Sequence, residues 1–151
     1  MMTINHEEFM RLAIQEAKKS SASGMPTPYG TVIAKNGELI SSAYNTVKKS
    51  NDPTSHAEIV AIRRACDILN TYNLSDCTLY TTCEPCPMCF SASWWANISK
   101  LFYGISISDV INKGDRQIDV SCEYLNQNGN SSVVIKGGFL RDECFELFKL
   151  L

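Results

Sequence analysis

The chain is 151 residues long, enough for one domain whose core buries about two-thirds of the unfolded surface. Apolar residues make up 44% and charged residues 20%, which excludes a disordered or fibrous chain. Fourteen Lys and Arg against sixteen Asp and Glu leave a net charge of −2 and a pI near 5.7, so no broad nucleic-acid-binding face is expected, although a local cationic patch is compatible.

Phe9, Leu12, Ala13 and Ala17 recur at helical spacing and predict a helix from about Asn5 to Ser20. Gly24-Met25-Pro26-Thr27-Pro28 ends it. Tyr29 to Ala34 and Leu39 to Asn45 read as strands, and Asn36-Gly37 between them is a two-residue hairpin signal. Lys48 to Ser55 reads as a polar loop containing Asp52-Pro53. A second helix follows, with Ile59, Ile62, Cys66 and Leu69 expected on its buried face. Thr78 to Thr82 is a short strand, Pro87 to Ala96 a helix opened by proline, and Leu101 to Ile105 a further strand. Residues 109–129 predict loop with some helix. Val133-Val134-Ile135 reads as a buried strand, Gly137-Gly138 as a break, and Leu140, Cys144, Leu147 and Phe148 mark a terminal helix. This order predicts an α/β fold, with one mixed sheet and helices on both faces. With no repeat, low-complexity tract or linker, a single domain spanning 1–151 is expected.

The seven cysteines are odd in number, and Cys83, Cys86 and Cys89 fall within seven residues. The opening Met1-Met2-Thr3-Ile4-Asn5-His6-Glu7-Glu8 lacks a basic start followed by an apolar run, and no apolar stretch approaches membrane-spanning length. The expected setting is the cytoplasm, with no membrane. There, clustered cysteines read as metal-binding or catalytic before disulfide-forming. Asn97-Ile98-Ser99 is a glycosylation triplet, but a cytoplasmic chain never meets that machinery.

His56-Ala57-Glu58 opens the second predicted helix and Pro85-Cys86-Pro87-Met88-Cys89 opens the third. A catalytic zinc takes three protein ligands and keeps one tetrahedral position for water. His56, Cys86 and Cys89 supply one nitrogen and two sulfurs for Zn2+. Two residues between the cysteines let both sulfurs reach one ion across a helical turn, and the positive end of a helix favours thiolates. Glu58, two residues from a ligand, is placed to face the water and move its proton. Residues 59–84 leave room for a helix, a turn and a strand, which brings both helix starts to one sheet edge. Other readings fit the parts singly. Cys83 would complete a structural zinc site, the Cys-x-x-Cys pair would serve redox chemistry, and Glu58 would be a favourable first-turn acid. His6, the other histidine, is expected on an exposed N-terminal turn.

His-x-Glu followed by Pro-Cys-x-x-Cys is the pattern of zinc nucleobase deaminases. In that chemistry Glu58 takes a proton from water, the oxygen attacks the ring carbon bearing an exocyclic amine, and Glu58 delivers one proton to a ring nitrogen and then a second, from the added hydroxyl, to the departing amine. The chain resembles the cytidine deaminase-like superfamily. Asp52-Pro53-Thr54-Ser55-His56-Ala57-Glu58 is similar to the corresponding run in tRNA adenosine deaminases and guanine deaminases. Leu79-Tyr80-Thr81-Thr82-Cys83-Glu84-Pro85-Cys86-Pro87-Met88-Cys89 resembles bacterial guanine deaminases and plant guanosine deaminases. The resemblance runs from about Pro28 to Gly104. It implies a three-layer α/β/α fold with a five-stranded mixed sheet, a homodimer, and a pocket beside the zinc. It also implies substrate contacts from Asn45, the Ala57 N–H, Trp95 over a purine face, Tyr29 as pocket wall, and Asp109 in the loop after the fourth strand. On the residues alone, Asn45 fits a strand-ending turn, Trp94 and Trp95 fit core or dimer interface, and Asp109 fits a helix N-cap.

Gly114-Asp115-Arg116-Gln117 departs from the Gly-Phe-Asp-Asp of guanine deaminases, with Asp115 the residue able to substitute. Gly138-Phe139-Leu140-Arg141-Asp142-Glu143-Cys144 is more like the closing helix of tRNA adenosine deaminases or fungal cytosine deaminase. The expected substrate is a small-molecule nucleobase or nucleoside, guanine first. A tRNA-specific adenosine deaminase is second, for which Phe145 to Leu151 supplies one Lys, and a cytosine-type deaminase third. An extended nucleic acid is not expected, but a tRNA stem-loop stays open. The non-enzyme alternative is a zinc-bearing interaction protein, against which the intact Glu58 speaks.

Overall fold

A computed structural model describes residues 3–151; Met1 and Met2, which open the stretch read for a leader, lie outside the described residues. Helix α1 (His6–Ala22) starts where the Asn5 side chain accepts the Glu8 N–H at 3.2 Å, and it buries Phe9, Met10, Ala13, Ile14 and Ala17. His6 is not on an exposed turn. Its ring stacks on Phe102 at 4.5 Å, and Nδ1 lies 2.7 Å from the Tyr80 hydroxyl. Strands β1 (Gly30–Lys35) and β2 (Glu38–Tyr44) form the expected hairpin. Asn36 and Gly37 take φ of 51° and 80°, the left-handed pair that a two-residue turn of this twist demands. Gly30 carries no Cβ because one there would strike the Ala13 carbonyl and the Ala17 backbone of α1. This close approach fixes the flanking Tyr29 and Thr31.

The polar stretch after β2 contains a single helical turn, α2 (Val47–Ser50), stopped by Asn51 at φ 55°. Helix α3 (Ala57–Leu69) buries Ala57, Ala61 and Ala65 together with Glu58 and Ile59, whereas Ile62, Cys66 and Leu69 are only half-buried. The expected buried face is therefore rotated. Small residues at four-residue spacing let the helix lie close on the sheet, and the larger side chains fill its flanks. Strand β3 (Cys77–Cys83) leads into α4 (Pro87–Trp95), and β4 (Lys100–Ile105) follows. The weakly patterned region holds two short helices, α5 (Ile107–Asn112) and α6 (Cys122–Gln127), each capped by a serine side chain. Strand β5 (Val134–Lys136) is an edge strand rather than a buried one: Val133 faces inward but Val134 is 49% exposed. The terminal helix is divided into α7 (Arg141–Phe145) and a 3₁₀ turn (Glu146–Leu150).

The sheet order is β2-β1-β3-β4-β5, antiparallel on the β1 side and parallel from β3 to β5. Successive side chains alternate between two cores. Val32, Tyr80 and Phe102 pack against α1 and the C-terminal elements, while Ile33, Leu79 and Leu101 pack against α3, α4 and α6. The architecture is the expected three-layer α/β/α fold with a five-stranded mixed sheet. No helix among the described residues is long and apolar enough to cross a membrane.

Candidate active site

Two helix starts meet over the end of β3. His56 is the N-cap of α3 and Cys86 the N-cap of α4, both with extended backbone (φ −63°, ψ 158° and φ −64°, ψ 168°). Cap residues normally spend their side chain on a backbone N–H. Neither side chain does so here, which leaves the imidazole and the thiol free to ligate. Pro87 follows as the first residue of α4 and brings Cys89 one turn further along. His56 Nδ1 lies 3.6 Å from Cys86 Sγ and 3.5 Å from Cys89 Sγ. Zinc bonds of about 2.3 Å to sulfur and 2.0–2.1 Å to nitrogen, opened to a tetrahedral angle, place N and S about 3.6 Å apart. The donor set and its spacing therefore fit Zn2+.

Cys83 does not join them. It is buried, its thiol donates to the Pro28 carbonyl at 3.5 Å, and the set of mutually close donors is His56, Cys86 and Cys89 alone. A structural site with Cys83 as fourth ligand is thus not formed. Another group of close donors, Glu84, Cys122 and Glu123, is already committed: Glu84 Oε1 accepts the Ile107 N–H at 3.0 Å and Oε2 the Cys122 N–H at 2.8 Å. Glu84 thereby ties the starts of α5 and α6 beside the site.

The cysteine pair shares charge unequally. Donation from Cys89, with help from His56, brings the Cys86 thiol down to about 4. The neighbouring Cys86 and burial hold Cys89 well above the ordinary thiol range. A divalent cation is what lets both act as thiolates at once. The His56 imidazole is raised by its bond to Cys86. Glu58, in the first turn of α3, is buried, and loss of solvent pushes its carboxyl up. Its Oε1 accepts from Thr31 Oγ1 on β1 and Thr81 Oγ1 on β3, each at 3.2 Å. Periodicity gives these threonines only as strand residues; their role emerges when β1 and β3 pair.

A cavity of about 150 Å³ joins His56, Glu58 and Cys86 with Tyr29, Asn45 and Gln117. Asn45, just past β2, uses Oδ1 to accept the Val47 N–H at 3.0 Å, which leaves its amide N–H groups available. The Tyr29 hydroxyl donates to Asp115 at 2.8 Å and receives Gln117 Nε2 at 3.4 Å, so it stands in the wall and pins the 115–117 loop. Asp115 is thereby engaged with Tyr29. Arg116 lines this cavity as well, although no sequence pattern marks it. A second hollow of about 400 Å³ shares Asn45 and His56 and is bordered by Met25, Pro26, Val47 and Lys48.

Two expected contacts are not brought to the cavity within this chain. Trp95 ends α4, about 13 Å along the axis from Cys86 at 1.5 Å per residue. It is 74% exposed and borders a surface depression with Phe90, Trp94 and Leu125. Asp109 is spent on structure. Its Oδ2 accepts the Ser106 N–H at 3.0 Å in a capping box, and Arg141 Nη2 donates to Oδ1 at 2.8 Å.

Residues 3–105 match the family model of the cytidine and deoxycytidylate deaminase zinc-binding region. The guanine deaminase of Bacillus subtilis (strain 168) is 46% identical over 111 residues, covering 74% of this chain and 71% of that protein. The tRNA-specific adenosine deaminase of Aquifex aeolicus (strain VF5) is 45% identical over 97 residues, 64% of each chain. A structure solved in work on A-to-I editing by tRNA:A34 deaminases at the wobble position superposes with a TM-score of 0.78 at 31% identity, covering 93% of this chain and 98% of that one.

Proposed function

Since this chain belongs to the cytidine and deoxycytidylate deaminase zinc-binding family and is a zinc-dependent hydrolytic deaminase, we propose that it releases ammonia from a free purine base, with guanine the favoured substrate. The observation that carries this reading is the cavity of about 150 Å³ in which His56 and Glu58 face one compartment closed by Tyr29 and Gln117. That volume lies below the roughly 300 Å³ at which drug-sized pockets begin, and it suits a single heterocycle. The 46% identity to a guanine deaminase supports the same base.

His56, Cys86 and Cys89 would hold the zinc. Bound zinc supplies Lewis acidity that brings the ionisation of water close to pH 7. Glu58 accepts the proton of the attacking water. The oxygen bonds to the ring carbon that bears the amine, Glu58 delivers that first proton to the adjacent ring nitrogen, which keeps it, and Glu58 then carries the second proton, from the newly added hydroxyl, to the amine. The carbon–nitrogen bond breaks, ammonia leaves, and a carbonyl remains. Proton transfer of this kind contributes about 10²–10⁴-fold. The Asn45 amide orients the base from one side. Ala57, the first residue of α3, has one of the N–H groups without an intrahelical partner and is the donor we assign to an acceptor on the rim of the base. Tyr29 closes the wall.

Ammonia release measured over guanine, guanosine, adenine, adenosine, cytosine, cytidine and a tRNA anticodon stem-loop tests the assignment. Guanine is expected to react fastest, and release from the RNA alone overturns it. A tRNA adenosine deaminase is the second reading. It is favoured by the hollow of about 400 Å³ that continues from His56 and Asn45 past Lys48, room for sugar and flanking nucleotides. The net charge of −2 opposes it, since phosphate binding draws on clustered cations. We place the chain in the cytoplasm, where Cys86 and Cys89 stay reduced. We take 1–151 as one domain and the enzyme as a homodimer, the exposed Trp95 beside Trp94 and Leu125 being the apolar surface that supports this.

A further inference from the structure

Thr31 and Thr81 stand directly opposite each other on the antiparallel pair β1 and β3, and both are at most 1% exposed. Valine has nearly the same shape and an equal liking for strands, so a hydroxyl buried at such a position needs a partner to offset its lost hydration. The two hydroxyls lie 2.9 Å apart, and each also reaches Glu58 Oε1 at 3.2 Å. Thr81 has one further acceptor within reach, the Gly30 carbonyl at 3.4 Å.

Each hydroxyl carries one proton, so these contacts share two protons. Both hydroxyls converge on the one oxygen, Oε1, and neither threonine is bonded to Oε2.

Resting on the deaminase reading, we propose that Thr31 and Thr81 are positioning residues: they hold Glu58 Oε1 as an acceptor, fix the carboxyl plane, and reserve Oε2 to carry the proton between water and base. The pair is more than a cross-strand contact of the sheet. A cross-strand contact needs only the 2.9 Å bond between the hydroxyls, whereas here both are also aimed at one oxygen of the catalytic carboxyl.

Zinc-loaded full-length protein is compared with Thr31→Val, Thr81→Val, the double variant, and the two Thr→Ser variants. Each valine is expected to lower kcat about tenfold and the pair up to about a hundredfold, the scale of a misplaced reacting group, with KM within about twofold and zinc content unchanged. Serine, which restores the hydroxyl, retains most of the rate. Wild-type kcat in the double valine variant overturns the proposal, as does a loss that follows zinc content or melting temperature. A readout independent of turnover is the carboxyl carbon resonance of Glu58 in protein carrying 13C-labelled glutamate, identified by its disappearance in Glu58→Gln. It is expected to move in each valine variant and to stay close to wild type with serine, and a resonance unmoved by either valine contradicts the proposal. Should wild-type protein release ammonia from no base and no RNA, the substrate reading fails while this resonance still decides the role of the threonines.

Discussion

Replacing Glu58 by glutamine separates proton transfer from everything else the residue does. Glutamine keeps the length and shape of the side chain, and its carbonyl oxygen can take the place of Oε1 beneath Thr31 and Thr81, at contacts of 3.2 Å. The amide nitrogen then occupies the other position, where no proton can be accepted. The change removes the proton carrier and leaves His56, Cys86 and Cys89 in place. General acid–base help of about 10²–10⁴-fold corresponds to about 2.7–5.4 kcal/mol of barrier at 1.36 kcal/mol per decade. On the proposed mechanism Glu58 serves both the attack of water and the departure of the amine, so the loss is expected toward the upper end. The variant should hold as much zinc as wild type. Its melting temperature should stay level or rise, since burial pushes the native carboxyl up and a neutral amide avoids that desolvation. Ammonia release, zinc content and melting temperature are measured on the same preparation. A kcat within about tenfold of wild type in fully zinc-loaded Glu58→Gln refutes the role.

Cys86→Ala should lose zinc on dialysis and melt at a lower temperature. Cys83→Ala should keep it, because the Cys83 thiol faces the Pro28 carbonyl rather than His56; equal zinc loss in both variants would return Cys83 to the ligand set. Asp109→Asn removes a capping carboxylate and an ion pair with Arg141. At neutral pH it should lower the melting temperature by about 2–4 °C, the shift made by a cap worth about 1 kcal/mol in a chain of this size. Arg141 holds the Asp109 carboxyl below its ordinary value of 3.8, so this stabilisation is complete above that pH and is lost as pH falls through the lower folded-state value. The gap between wild type and Asp109→Asn should therefore close in acid; a gap that persists there assigns the effect to packing. Ammonia release by Asp109→Asn at neutral pH should be close to wild type, and a selective rise in KM would return Asp109 to the substrate channel.

The meeting of His56, Cys86 and Cys89 beside Glu58 was legible because the signal is local. Each ligand stands at or within three residues of a helix start, and the two segments carry an unambiguous order and spacing. The Asn36-Gly37 turn was legible for the same reason, since its left-handed backbone is a property of two adjacent residues. What depended on register was not. Thr31 and Thr81 meet beneath Glu58 only once β1 and β3 pair antiparallel. The alanine face of α3 was masked by larger apolar residues that repeat at helical spacing and flank the contact instead. Val134 reads as core in an apolar triplet, but β5 is the last strand of the sheet and leaves it uncovered. Trp95 and Asp109 were assigned by resemblance, and within one chain helix length and a capping box direct them elsewhere.

X-ray absorption at the zinc edge tests the centre most directly. One zinc per chain is expected, with two sulfurs at about 2.3 Å and two lighter atoms at about 2.0–2.1 Å, so that a position beside Glu58 remains exchangeable. A third sulfur in the shell, or purified active protein without zinc, contradicts the account.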